Sequence, residues 1–192
     1  MSVELPDPYL PRRAYALLHR RYQAARAVVV NGPRQSGKTS LLAQLAADVG
    51  GTYLSLDDAS SLRLARTDPA GLLTGFAEPL LIDEVQRGGD RLVLALKSQL
   101  DRSPRRSRFV LAGSTRFLNE PRLTESLAGR VRFVDLWPLS QGEIDGAPDR
   151  FVDTAFFDPE SVSTAIGTGL TRHQIFERVA RGGLPEAVLA PD

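Results

Sequence analysis

Cysteine is absent from the 192 residues, so disulfides, thiolate metal sites and cysteine nucleophiles are excluded. Histidine occurs only as His19 and His173, which lie far apart and have no evident ligand partners in the sequence. Lysine is equally scarce: of 24 basic residues only Lys38 and Lys97 are lysines, and the rest are arginines. No apolar run approaches the ~18 residues of a membrane span. The N-terminus lacks the pattern of a signal peptide, so no membrane partner and a cytoplasmic location are expected. Nothing repeats internally, and no stretch is low in complexity. A net charge of +1 argues neither for nor against a nucleic-acid partner. What remains is the composition of a soluble globular protein, 42% hydrophobic and 24% charged, long enough for one domain plus an appendage.

One of the two lysines stands in a telling place. Gly32-Pro33-Arg34-Gln35-Ser36-Gly37-Lys38-Thr39 fits G-x-x-x-x-G-K-[ST], the phosphate-binding loop of nucleotide triphosphatases. The apolar run Ala27–Val30 before it reads as a buried strand, and Ser40 to Ala47 after it as a helix. Gly32 and Gly37 let the backbone turn its N–H groups around phosphate oxygens where a Cβ would obstruct the approach. The helix that follows points its positive end at the same anion. Lys38 supplies a flexible point charge for the β- and γ-phosphates, and the Thr39 hydroxyl is a hard oxygen ligand for Mg²⁺. A chain that writes nearly every positive charge as arginine has kept lysine where phosphate chemistry uses it. Residues Gly32 to Ser40 are therefore the expected nucleotide-binding segment.

A second signal follows. Pro79-Leu80-Leu81-Ile82-Asp83-Glu84 is an apolar strand ending in two carboxylates. Asp83 would hold Mg²⁺, and Glu84 would orient and deprotonate an attacking water. Adjacent residues at the end of a strand point to opposite sides, so one carboxylate can face the metal and the other the γ-phosphate.

The remainder reads as further strands and helices. A helix is expected over Arg12–Gln23, with Tyr15, Leu18 and Tyr22 on one face. Further strands fall at Thr52–Leu56, at Phe109 to Ala112 and at Val131–Leu136. Short helical pieces fall around Leu62–Arg66 and Pro69–Phe76, and Asp90 can cap a helix through about Leu100. Five strands alternating with helices predict an α/β, three-layer fold with a mainly parallel sheet and its ligand at the carboxyl ends of the strands. From about Arg150 the chain changes character. Phe151, Phe156 and Phe157 crowd together. Asp158-Pro159 and Thr171-x-x-Gln174 then open two short helices. The expected division is a nucleotide-binding domain over residues 1–149 and a helical extension over 150–192 that opens a second domain.

Five segments occur in order: Gly-Pro-Arg-Gln-x-Gly-Lys-Thr at 32–39, Ile-Asp-Glu-Val-Gln at 82–86, Ala-Gly-Ser-Thr-Arg-Phe-Leu at 112–118, Glu-Ser-Leu-Ala-Gly-Arg at 125–130 and Pro-Leu-Ser-x-x-Glu at 138–143. Together they resemble the AAA-like P-loop ATPases of bacteria and archaea that precede an uncharacterised C-terminal domain. The resemblance implies strand order 5-1-4-3-2, ATP as nucleotide and Mg²⁺ as cofactor. It carries Lys38 and Thr39 to phosphate and metal, and Asp83 and Glu84 to metal and water. Ser114 matches its sensor position, and Arg130 matches an arginine that would act as a finger.

Three functions remain open on this reading. The first is an ATPase coupling hydrolysis to conformational change. The second is a nucleotide-dependent binding module with little hydrolysis. The third is a DNA-associated ATPase, for which the basic helix at Arg12–Arg21 and the basic turn at Arg102–Arg108 are the support. Those arginines precede strands, so they belong at the amino edge of the sheet, and a simply solvated face explains them too. Arg130 also falls at that edge, so a finger there would serve a neighbouring subunit of a homo-oligomer. A small-molecule kinase fits less well, because Glu84 beside Asp83 suits activation of water.

Overall fold

The structure is a computed structural model and describes residues 4–114, 127, 129–147, 151–164 and 169–190. Two compact units compose the chain. One is Met1–Tyr9 with Arg13–Trp137, and the other is Leu10–Arg12 with Pro138–Asp192.

The first unit is an α/β/α sandwich. In chain order it carries α1 (Ala14–Ala24), β1 (Ala27–Gly32), α2 (Lys38–Val49), β2 (Thr52–Ser55), α3 (Ala59–Thr67), α4 (Pro69–Thr74), β3 (Leu80–Asp83), a 3₁₀ turn (Val85–Gly88), α5 (Gly89–Arg102), β4 (Phe109–Ser114) and β5 (Val131–Asp135). The five strands lie in the order β2-β3-β4-β1-β5, and every pairing is parallel. This is the expected order read from the other edge. Strand alternation builds the layers. Ala27 and Val29 of β1 join Ile82 of β3 and the apolar faces of α3, α4 and α5. Val28 and Val30 join Leu81, together with Leu18 of α1 and Leu41, Leu42 and Leu45 of α2. A strand buried on both faces has no polar side to present, which is why β1 and β3 read as continuous apolar runs.

Local chemistry explains where elements begin. Asp58 caps α3 by accepting from the Ser61 N–H at 2.8 Å, so that helix starts earlier than its apolar residues alone suggest. Asp68 caps α4 in the same way through Gly71 N–H. Asp90, by contrast, lies within the first turn of α5 instead of capping it, because the helix opens at Gly89 with φ +68°.

The second unit holds α6 (Gln141–Ile144), α7 (Phe151–Phe157), α8 (Pro159–Thr164), α9 (Arg172–Arg181) and α10 (Pro185–Leu189). Capping boxes at Ser140 with Glu143 and at Thr171 with Gln174 start α6 and α9. Its internal ties are polar. Arg12 pairs with Glu143 at 3.3 Å, and Arg178 reaches Asp145 at 2.7 Å. Among its described residues Leu139 is the one buried apolar side chain, while Phe151, Phe156 and Phe157 are exposed. No described helix of the chain is long and apolar enough to cross a membrane.

Candidate functional site

The phosphate loop joins β1 to α2 at the carboxyl edge of the sheet. Two of its glycines are required by space or by backbone. A Cβ on Gly32 would fall 2.3 Å from the Leu136 carbonyl oxygen and 2.9 Å from Ser36 Oγ. Gly37 has φ +91°, a left-handed conformation that side chains disfavour. No side chain caps α2, so its first N–H groups stay available to an anion.

Lys38 begins α2 and turns back over the loop. Its Nζ donates to the carbonyl oxygens of Pro33 at 2.7 Å and Gly32 at 3.2 Å. Burial pushes its ammonium below the ordinary lysine range. The nearby Glu84 and Asp83 oppose that shift, and Arg34 adds to it. A buried ammonium resting on its own loop's carbonyls is held where an incoming phosphate would meet it.

Thr39 and Asp83 come together although 44 residues separate them. Thr39 Oγ1 donates to Asp83 Oδ2 at 2.6 Å, and Asp83 is only 2% exposed. Because the hydroxyl gives its proton to the carboxylate, its lone pairs remain free. Two hard oxygen ligands at this separation fit Mg²⁺, which takes one or two protein oxygens and completes its shell with water and phosphate. Consistently, no group of three or more His, Asp or Glu side chains converges among the described residues. Thr39 Oγ1 and Asp83 Oδ2 fit a metal whose remaining ligands come from water and phosphate.

Glu84 departs from the expected alternation. The strand ends at Asp83, and Glu84 itself has φ +51° and ψ +39°, a left-handed conformation costing on the order of 1–3 kcal/mol outside glycine. Two bonds hold it there. Asp83 Oδ1 accepts from the Glu84 N–H at 2.8 Å, and the Glu84 carbonyl accepts from the Arg87 N–H at 2.9 Å. The backbone bend, instead of a strand pleat, separates the two carboxylates. The Gln86 side-chain amide donates to the Glu84 carboxylate, while Gln86 Oε1 is buried without a partner.

Ser114 ends β4 in register with Gly32, beside the phosphate loop. Thr115 to Ser126 and Ala128 of the quoted motifs lie outside the described residues. Arg130 sits at the opposite edge, immediately before β5, whose first residue Val131 pairs with Ala27, the first of β1. It is engaged there with Asp101, Nε to Oδ1 at 2.6 Å and Nη2 to Oδ2 at 3.2 Å. About five residues of strand separate it from the loop, or ~17 Å.

Two contacts were not anticipated from sequence. One is the Gln86 amide on Glu84. The other is Tyr53 of β2, whose hydroxyl donates to Asp83 Oδ2 at 3.1 Å. Burial, with the Asp83 charge beside it, pushes the Tyr53 phenol well above its ordinary range.

With this geometry in hand, a family model described as an AAA domain matches residues 24–145, well over half of the chain. The chain belongs to this AAA-domain family. It is also 36% identical over 141 residues to uncharacterized proteins of Mycobacterium bovis and Mycobacterium tuberculosis, matching 72% of this chain but 31% of each relative. This member of the AAA-domain family therefore corresponds to about a third of the length of those curated relatives. A solved Walker-type ATPase of Pyrococcus abyssi has the same fold, with TM-score 0.60 and 15% identity over 96% of this chain and 67% of that one.

Proposed function

We propose that this AAA domain binds ATP with Mg²⁺ and hydrolyses it to ADP and phosphate, coupling the reaction to a conformational change. The observation that carries the reading is the contact between Thr39 and Asp83, with Lys38 buried in the loop beside them. Residues from the two nucleotide motifs, far apart in sequence, meet in the geometry that phosphate and metal chemistry needs.

Lys38 would leave the Gly32 and Pro33 carbonyls for the phosphates, whose charge also favours the uncapped start of α2. Thr39 and Asp83 would hold Mg²⁺, which when bound neutralises charge on the phosphate oxygens. Glu84 would release the Gln86 amide, orient a water and take its proton as general base. Ser114, in register with Gly32 in the sheet, would sense phosphate. The test is ATP binding and turnover by the 192-residue chain with Mg²⁺ and with EDTA. Absence of Mg²⁺-dependent ATP binding overturns the reading.

The Gln86 amide on Glu84 favours a second reading, a nucleotide-dependent binding module with slow hydrolysis. Tight ATP binding without multiple turnover would select it. A DNA-associated ATPase is the third, and stimulation of turnover by duplex DNA would select that one. The exposed phenylalanines of α7 support reading residues 150–192 as the opening of a second domain.

A further inference from the structure

We propose that Tyr53 is a positioning residue for the metal side of the site, fixing the Asp83 carboxylate so that it meets Mg²⁺ in one orientation. The inference rests on the Mg-ATP reading above and extends it to a residue outside both nucleotide motifs.

The placement follows from strand register. β2 and β3 are parallel, with Tyr53 beside Leu81 and Ser55 beside Asp83. Leu54 and Leu56 point into the core shared with Ile82, whereas Tyr53 packs on the other side of the sheet with Leu81, under α2. Tyr53 and Asp83 are therefore diagonal neighbours on one face, one strand and two residues apart. A serine or threonine at position 53 would fall short across that diagonal. A phenol spans it and arrives with a hydroxyl at its tip, 3.1 Å from Asp83 Oδ2.

Asp83 needs such partners. A carboxylate 2% exposed needs hydrogen-bond donors in place of water. Oδ1 accepts the Glu84 N–H, and Oδ2 accepts both Thr39 Oγ1 and Tyr53 Oη. Thr39 is itself a prospective metal ligand, and Glu84 is the prospective base. Both belong to the machinery that must rearrange when nucleotide arrives. Tyr53 belongs to none of it and comes from the edge strand, so it holds the carboxylate plane independently of the nucleotide. Partners of this kind behind a metal ligand typically matter by ~10–100-fold in metal affinity.

The experiment is a Mg²⁺ titration of the full chain bound to a ribose-labelled fluorescent ATP, repeated in EDTA, for wild type, Tyr53→Phe, Asp83→Ala and the double variant. Phenylalanine keeps the ring and its packing, so the fold is retained. For Tyr53→Phe the expected result is about tenfold more Mg²⁺ at half-saturation, with nucleotide affinity in EDTA unchanged. In the Asp83→Ala background, Tyr53→Phe should add nothing. Unchanged Mg²⁺ dependence in Tyr53→Phe, while Asp83→Ala shifts it, overturns the positioning role and leaves the ATP reading standing. Equal weakening with Mg²⁺ and in EDTA also overturns it, because that is a packing effect. If nucleotide binding ignores both Mg²⁺ and Asp83→Ala, the Mg-ATP reading itself fails.

Discussion

The two edges of the sheet carry charged residues of opposite habit. At the carboxyl edge Lys38 and Asp83 are buried, and their partners are loop carbonyls and hydroxyls that a phosphate and a metal can replace. At the amino edge the charges are arginines already committed to the protein. Arg26 and Arg108 donate to the carbonyls of Leu100 and Gln99 at 2.7 and 3.1 Å, satisfying the last turn of α5. Arg108 and Arg105 also pair with Glu78, and Arg130 pairs with Asp101. The difference follows from topology. In a parallel α/β sheet the helices run against the strands, so their N–H ends gather at the carboxyl edge and their C=O ends at the amino edge. One arrangement therefore favours anions at one edge and cations at the other. Arg26 and Arg108 serve the second need.

The largest expected effect breaks the comparison at its centre. Lys38→Ala should abolish ATP binding or weaken it severely, whereas Lys97→Ala on α5 should leave it unchanged. Equilibrium binding of labelled ATP checks both, and equal affinity in the two variants removes the distinction between the edges. Next in size is Glu84→Gln, which keeps the shape of the side chain and removes its basicity. Turnover should fall by ~10²–10⁴ with binding retained. Undiminished turnover places the base elsewhere and makes Glu84 a structural bend.

How much of this could be read beforehand differs between the edges as well. That Lys38, Thr39, Asp83 and Glu84 would come together was legible because phosphate and metal chemistry restricts residue type at fixed spacing. The strand order followed from the family resemblance, and the three layers from strands that alternate with helices. The bend at Glu84 was not, since its left-handed backbone depends on Asp83 Oδ1 and on a turn closed by Arg87. Tyr53 was hidden for another reason. Its partner lies diagonally across β2 and β3, and a register between strands 30 residues apart leaves no local pattern. The helix Phe151–Phe157 was equally illegible, because its phenylalanines face solvent and show no buried stripe.

A third prediction sharpens the amino edge. Arg108 has a side chain 9% exposed and takes a carboxylate contact from Glu78, itself 22% exposed. Glu78→Ala leaves that guanidinium with the Gln99 carbonyl and the Phe109 ring but without its carboxylate, a loss of about 1–3 kcal/mol. For a chain of this size that lowers the melting temperature by roughly 3–10 °C. ATP affinity should not move. A change in ATP affinity at constant stability would mean that the two edges communicate.

The smallest effect concerns Arg130, for which two roles compete. As a finger it must leave Asp101 and act on a neighbouring subunit, since the loop of its own subunit lies a strand length away. As a tether it joins the turn before β5 to the end of α5 through the paired contacts with Asp101. We expect the tether, with turnover per subunit independent of protein concentration and unaffected by Arg130→Ala. Recovery of activity on mixing Arg130→Ala with Glu84→Gln subunits would establish the finger instead. The tether also has a signature in pH. The hydrogen bond from Arg130 holds the Asp101 carboxyl below its ordinary range. A carboxylate depressed on folding adds stability at pH above its unfolded value, and that increment is lost as pH falls through the folded value. The melting temperatures of wild type and Arg130→Ala should therefore differ slightly at neutral pH, converge in acid, and converge also at high salt because the pair is exposed to solvent. A gap that persists in acid would assign Arg130 to packing instead of charge.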